Sequence, residues 1–151
     1  RLKESSSLRW IAFVRPAVGL LLFYKEKSEE NENMKNYKIA GLALTKPGDL
    51  HSIAISHGEG RFIASPEQIR AWAANGQIAT QYTDELGHAS YDSTFNPNES
   101  VWAVEGITSP DGRVLGKMGH SERRGDNIAK NISGEKYQPL FAAGVRYFTG
   151  K

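Results

Sequence analysis

The stretch Val101-Trp-Ala-Val-Glu-Gly-Ile-Thr-Ser-Pro-Asp-Gly-Arg-Val-Leu-Gly-Lys-Met-Gly-His-Ser-Glu122 carries the clearest fold signal in the chain. Two strand-like runs, Val101 to Thr108 and Arg113 to Met118, flank Ser109-Pro110-Asp111-Gly112. Proline presets one turn dihedral and glycine tolerates the left-handed one, so this spacing predicts a β-hairpin. Upstream, Leu50 to Ser56 alternates as a strand should, with Leu50, Ser52, Ala54 and Ser56 on one face and His51, Ile53 and Ile55 on the other.

Between these runs lies a helix signal. Ser65-Pro66-Glu67-Gln68 supplies an N-cap, a proline in the first helical position and the far member of a capping box. Ile69, Trp72 and Ala73 give an apolar stripe, and Asn75-Gly76 stops the helix because glycine takes the left-handed cap conformation without a clash. Gln77 to Tyr82 follows as a strand, and residues 84–100, polar and turn-rich, read as a long surface loop placed to close over something. Tyr137, Phe141, Val145 and Phe148 recur at spacings of a helix that packs one face on a sheet. Trp72 and Phe141 are accordingly read as core. Strands alternating with helices make the class α/β.

The totals suit an ordinary globular domain: 151 residues, 39% hydrophobic and 10% aromatic. Nineteen basic against seventeen acidic side chains leave +2, too little to capture nucleic acid phosphates, so no nucleic acid partner is expected. The apolar run Trp10 to Tyr24 is about fifteen residues and contains Arg15, Pro16 and Gly19, short of the roughly 20 that span a bilayer. Arg1, Lys3 and Arg9 precede it, but no small-residue cleavage site follows, so neither membrane span nor secretory signal is expected. Residues 25–36, charged and amide-rich, read as a linker. The expected division is a leader and linker over 1–36, unrelated or disordered, and a domain over 37–151.

No cysteine is present, which removes thiolate metal sites, disulfides and thiol nucleophiles together. No Gly-x-Ser-x-Gly elbow and no phosphate-cradling glycine loop occurs. His120 and Glu122 stand two apart, and in extended chain both would point to one side, where a carboxylate orients an imidazole that serves as a base. Spacing alone does not separate this pair from an incidental His and Glu on a surface loop. His57-Gly58-Glu59-Gly60 follows a strand and would face the same cleft, or else forms a tight turn in solvent. A metal site from His57, Glu59, His120 and Glu122 lacks a supporting ligand spacing, so no metal is expected. Arg123 and Arg124, beside Asp126, are suited to gripping an anion or simply to facing solvent.

Taken together, Asp49-Leu-His-Ser-Ile-Ala-Ile-Ser-His-Gly-Glu-Gly-Arg-Phe62, Asn75-Gly-Gln-Ile-Ala-Thr-Gln-Tyr82 and Glu105 through Gly125 resemble the glutaminase domain of the phosphoribosylformylglycinamidine synthases. The resemblance runs over roughly residues 46–148. It implies the C-terminal part of a class I glutamine amidotransferase domain, flavodoxin-like, with a mixed sheet and flanking helices. It further implies a Cys-His-Glu triad that hydrolyses glutamine and passes ammonia to an ATP-dependent synthetase, a cytoplasmic C–N ligase of purine biosynthesis. His120 becomes the base, Glu122 its orienter, and His57, Gly58, Glu59, Gly60 and Arg61 the cleft or the contact with the synthetase. Glutamine is the implied substrate; the synthetase and the N-terminal half of the glutaminase domain are the implied partners. No cofactor is expected in this chain, ATP and magnesium belonging to the synthetase part.

Two departures follow. The cysteine elbow is absent and residues 1–45 do not resemble what precedes the match, so the chain alone is expected to be inactive. Glu99 stands where the resemblance implies a glycine, which puts the turn Asn96 to Ser100 in question. The competing expectation is a non-catalytic fragment or binding module that docks to a partner carrying the rest of the domain.

Overall fold

Alternation over Leu50 to Ala54 produces a strand whose three central residues are buried. It belongs to a five-stranded sheet in a computed structural model that describes residues 18–22, 44–46, 48–55 and 60–150. In chain order the strands are β1 (Val18–Leu22), β2 (Leu50–Ala54), β3 (Ile78–Thr83), β4 (Val104–Thr108) and β5 (Leu115–Lys117), with helices α1 (Pro66–Ala74) and α2 (Leu140–Thr149). The sheet order is β2-β1-β3-β4-β5. The α/β class holds, but each described pairing is antiparallel where a mixed sheet was expected. Between β4 and β5 the connection itself requires it: a parallel neighbour needs a crossover of about a dozen residues or more, and six residues join these two. Val18–Leu22, within the stretch read as leader, pairs between β2 and β3. The linker over 25–36 lies outside the described residues.

The hairpin forms at the expected turn. Gly112 has φ +70°, the Ser109 N–H donates to the Val114 carbonyl at 2.9 Å, and the Ser109 hydroxyl donates to Asp111 at 2.6 Å. Its first strand, however, starts at Val104. Val101–Ala103 coils into a 3-10 turn in which Trp102 and Ala103 have φ of +53° and +52°. Tertiary hydrogen bonds hold this left-handed kink: Val101 N–H to the Phe62 carbonyl at 3.0 Å, and the Gln81 amide to the Trp102 carbonyl at 2.7 Å. The loop before it is anchored rather than loose. Buried Asn96 bonds the Ser100 backbone through both its Oδ1 and its Nδ2, each at 3.0 Å. Glu99, inside that clasp, has φ +54°, the conformation that glycine adopts without strain.

Helix α1 begins as read: Ser65 accepts from the Gln68 N–H at 3.2 Å while Gln68 accepts from the Ser65 N–H at 2.9 Å. Ile69 sits in a cluster with Ile78 and Val104, with Trp72 and Ala73 packed beside it. Phe62 meets Trp72 edge-to-face at 5.7 Å. A second cluster joins Ile53, Tyr82 and Ala103, with Met118 against it. Among the described residues no helix is long and apolar enough to cross a membrane.

Helix α2 exists, but rotated from expectation. Phe141, Val145 and Phe148 are 70%, 64% and 63% exposed, whereas Ala143 is fully buried. The covered face is Leu140, Ala143, Gly144 and Tyr147, which has helical spacing as well. Phe141 is therefore not a core residue, while Trp72 packs as one.

Candidate functional site

Beyond β5 the backbone crosses from one strand end to another. Met118 N–H bonds the Glu105 carbonyl at 3.0 Å and His120 N–H bonds the Ala54 carbonyl at 2.9 Å, so the loop is tied to β4 and to the end of β2. Gly119 makes this crossing possible. A Cβ there would lie 2.9 Å from both Ile53 Cγ2 and Glu105 Oε1, closer than such atoms approach.

His120 Nδ1 lies 2.6 Å from Glu122 Oε1, with the His120 side chain 30% exposed. The two meet across a turn rather than along extended chain: Arg123 N–H closes on the His120 carbonyl at 3.1 Å. The hydrogen bond from His120 is the main reason the Glu122 carboxyl is held below the usual carboxylate range. An ionised Glu122 is acceptor-only, so this contact is a hydrogen bond only with the proton on Nδ1, an arrangement that leaves Nε2 of a neutral imidazole with its lone pair.

Under this loop lies a polar network that sequence reasoning missed. The Glu105 side chain is wholly buried, accepts from the Gly119 N–H at 2.5 Å and from the Thr80 hydroxyl, and forms an ion pair with Lys117 Nζ at 3.2 Å. Lys117 Nζ also donates to the Gly119 carbonyl at 2.7 Å and to Ser121 Oγ at 3.1 Å. Ser121 in turn donates to Gln138, which is buried just before α2. The available signal was a carboxylate inside the otherwise apolar run Val104 to Ile107 and a lysine facing it in the hairpin.

His57, Gly58 and Glu59 lie outside the described residues. Gly60 is buried; Arg61 is exposed and reaches Glu99 at 3.6 Å. Arg123 and Arg124 are exposed, and the Arg124 guanidinium stacks 4.2 Å above the Tyr137 ring. Among the described residues no three His, Asp or Glu side chains are grouped to hold a metal.

The chain is similar to proteins of known name. It is 36% identical over 96 residues to phosphoribosylformylglycinamidine synthase subunit PurQ of Chlorobaculum tepidum, covering 63% of this chain and 40% of that one. To the subunit of the same name from Aquifex aeolicus it is 34% identical over 104 residues, covering 69% and 45%. To phosphoribosylformylglycinamidine synthase of Saccharomyces cerevisiae it is 35% identical over 99 residues, covering 64% of this chain and 7% of the yeast protein. The chain thus spans about two fifths of the length of the bacterial relatives. The solved structure titled "Structure of PurLQS from Thermotoga maritima" superposes with a TM-score of 0.50 at 19% identity, over 87% of this chain and 46% of that one, a likeness of fold. The family model described as the CobB/CobQ-like glutamine amidotransferase domain matches residues 30–148, most of the sequence, and the chain belongs to that family.

Proposed function

We propose that residues 46–148 form the base-and-orienter side of a glutaminase site. Its ammonia would serve the ATP-dependent amidation of formylglycinamide ribonucleotide by a synthetase partner. The supporting observation is His120 Nδ1 held 2.6 Å from Glu122 on a partly open loop. With Nδ1–H directed to the carboxylate, Nε2 accepts the proton of a thiol, and the thiolate attacks the glutamine side-chain amide carbon. Nε2–H then protonates the departing nitrogen, releasing ammonia and leaving a thioester that water hydrolyses to glutamate. The thiol would come from residues outside these 151, which include no cysteine.

The experiment is a graft: residues 46–148 replace the matching segment of the Chlorobaculum tepidum subunit, and glutamate release is measured. A hydrolysing graft that loses about a thousand-fold or more on His120→Ala supports the reading. A folded graft that hydrolyses glutamine equally well with His120→Ala overturns it. A second reading, a non-catalytic module that docks to polypeptide carrying the rest of the domain, draws on the outward face of α2. It predicts a folded graft with no hydrolysis at all.

A further inference from the structure

We infer that the buried Glu105–Lys117 pair is a positioning device that sets the rotamer and tautomer of His120 by clamping the residues on both sides of it. The inference rests on the proposed role of His120 and adds to it the residues that hold the ring in register.

Two donors of the Lys117 ammonium are committed, to the Gly119 carbonyl at 2.7 Å and to Ser121 Oγ at 3.1 Å, and the ammonium forms an ion pair with Glu105 at 3.2 Å. Glu105, wholly buried, takes the Gly119 N–H at 2.5 Å and the Thr80 hydroxyl. Gly119 is thus held at both its N–H and its carbonyl, and Ser121 is held between Lys117 and Gln138. His120 is the residue between these clamped neighbours, and its own N–H is fixed on Ala54. The missing room for a Cβ at Gly119 leaves the loop no slack above Glu105.

A buried ion pair is a weak source of net stability, because the cost of removing two charges from water offsets most of their attraction. What such a pair supplies is geometry. Here its hydrogen bonds go to the turn that brings Glu122 to Nδ1, so loosening the pair releases the ring before it unfolds the sheet.

The test uses the 151-residue chain with ¹⁵N-labelled imidazoles, recorded at about pH 8, above the range in which imidazoles ordinarily charge. His120→Ala assigns the His120 signal. The unaltered chain is expected to show a single Nδ1–H tautomer. Glu105→Gln, the double variant Glu105→Gln/Lys117→Met, which leaves no charge unpaired, and Ser121→Ala, which leaves the pair intact, are each expected to raise the Nε2–H population about tenfold. Gln77→Ala removes a buried hydrogen bond to Thr108 on β4 and is expected to lower the thermal midpoint without moving the tautomer. If Glu105→Gln or the double variant does not fold, Ser121→Ala decides. A His120 signal unchanged in every folded variant overturns the inference and leaves the proposed function standing. Absence of the Nδ1–H tautomer in the unaltered chain overturns both.

Discussion

Glu99 is a side chain in a backbone position made for glycine. Left-handed φ costs an L-residue roughly 1–2 kcal/mol, and glycine returns about 0.5–1 of that in chain entropy. Its exposed contact with Arg61 at 3.6 Å offsets little. Glu99→Gly is therefore expected to raise stability by roughly 0.5–1 kcal/mol, read from urea midpoints. The departure from the family pattern was legible in the sequence; the strain was not, since only the Asn96–Ser100 clasp forces that dihedral. His51 is a second residue-scale case. Burial lowers its pKa below 6.5, outweighing the opposing carboxylates of Asp49 and Glu135. The unfolded chain then binds the extra proton first, so stability is full above 6.5 and falls as pH drops from there toward the lowered value. Thermal midpoints at pH 7.5 and 5.5 check this, and His51→Gln is expected to flatten the difference.

At the scale of elements, caps were readable and faces were not. Ser65-Pro66-Glu67-Gln68 is a local code because a capping box closes within four residues, and Ser65→Ala is expected to cost about 1 kcal/mol by thermal melting. Helix α2 shows the limit of such codes. Phe141-Val145-Phe148 and Leu140-Ala143-Gly144-Tyr147 both repeat at helical spacing, and hydrophobicity favours the first. The fold covers the second, because buried Gln138, bonded to Ser121, and fully buried Ala143 set the helix's rotation. Phe148→Ala is thus expected to change stability by no more than about 0.5 kcal/mol, and Ala143→Leu to cost roughly 1–3 kcal/mol by overpacking. A reversed ranking in chemical denaturation would return the bulky face to the core.

Over the whole molecule, the hydrogen-bonded His120 and Glu122 occur in a chain without a thiol nucleophile. The isolated chain is therefore expected to release no glutamate from glutamine beyond a His120→Ala control, measured by enzymatic glutamate assay; sustained turnover would place the nucleophile within it. By itself the sequence determined the hairpin turn and the α1 cap, because each depends on residues within a few positions of one another; the α/β class came from the succession of elements along the chain, and the candidate pair His120 and Glu122 from the resemblance over residues 46–148. Tertiary structure alone decided that the hairpin strand starts at Val104, that α2 turns its small residues inward, and that Glu105, Lys117, Ser121 and Gln138 converge beneath His120. Those outcomes depend on groups far apart in the chain, whose burial and hydrogen bonding exist only once the strands have paired.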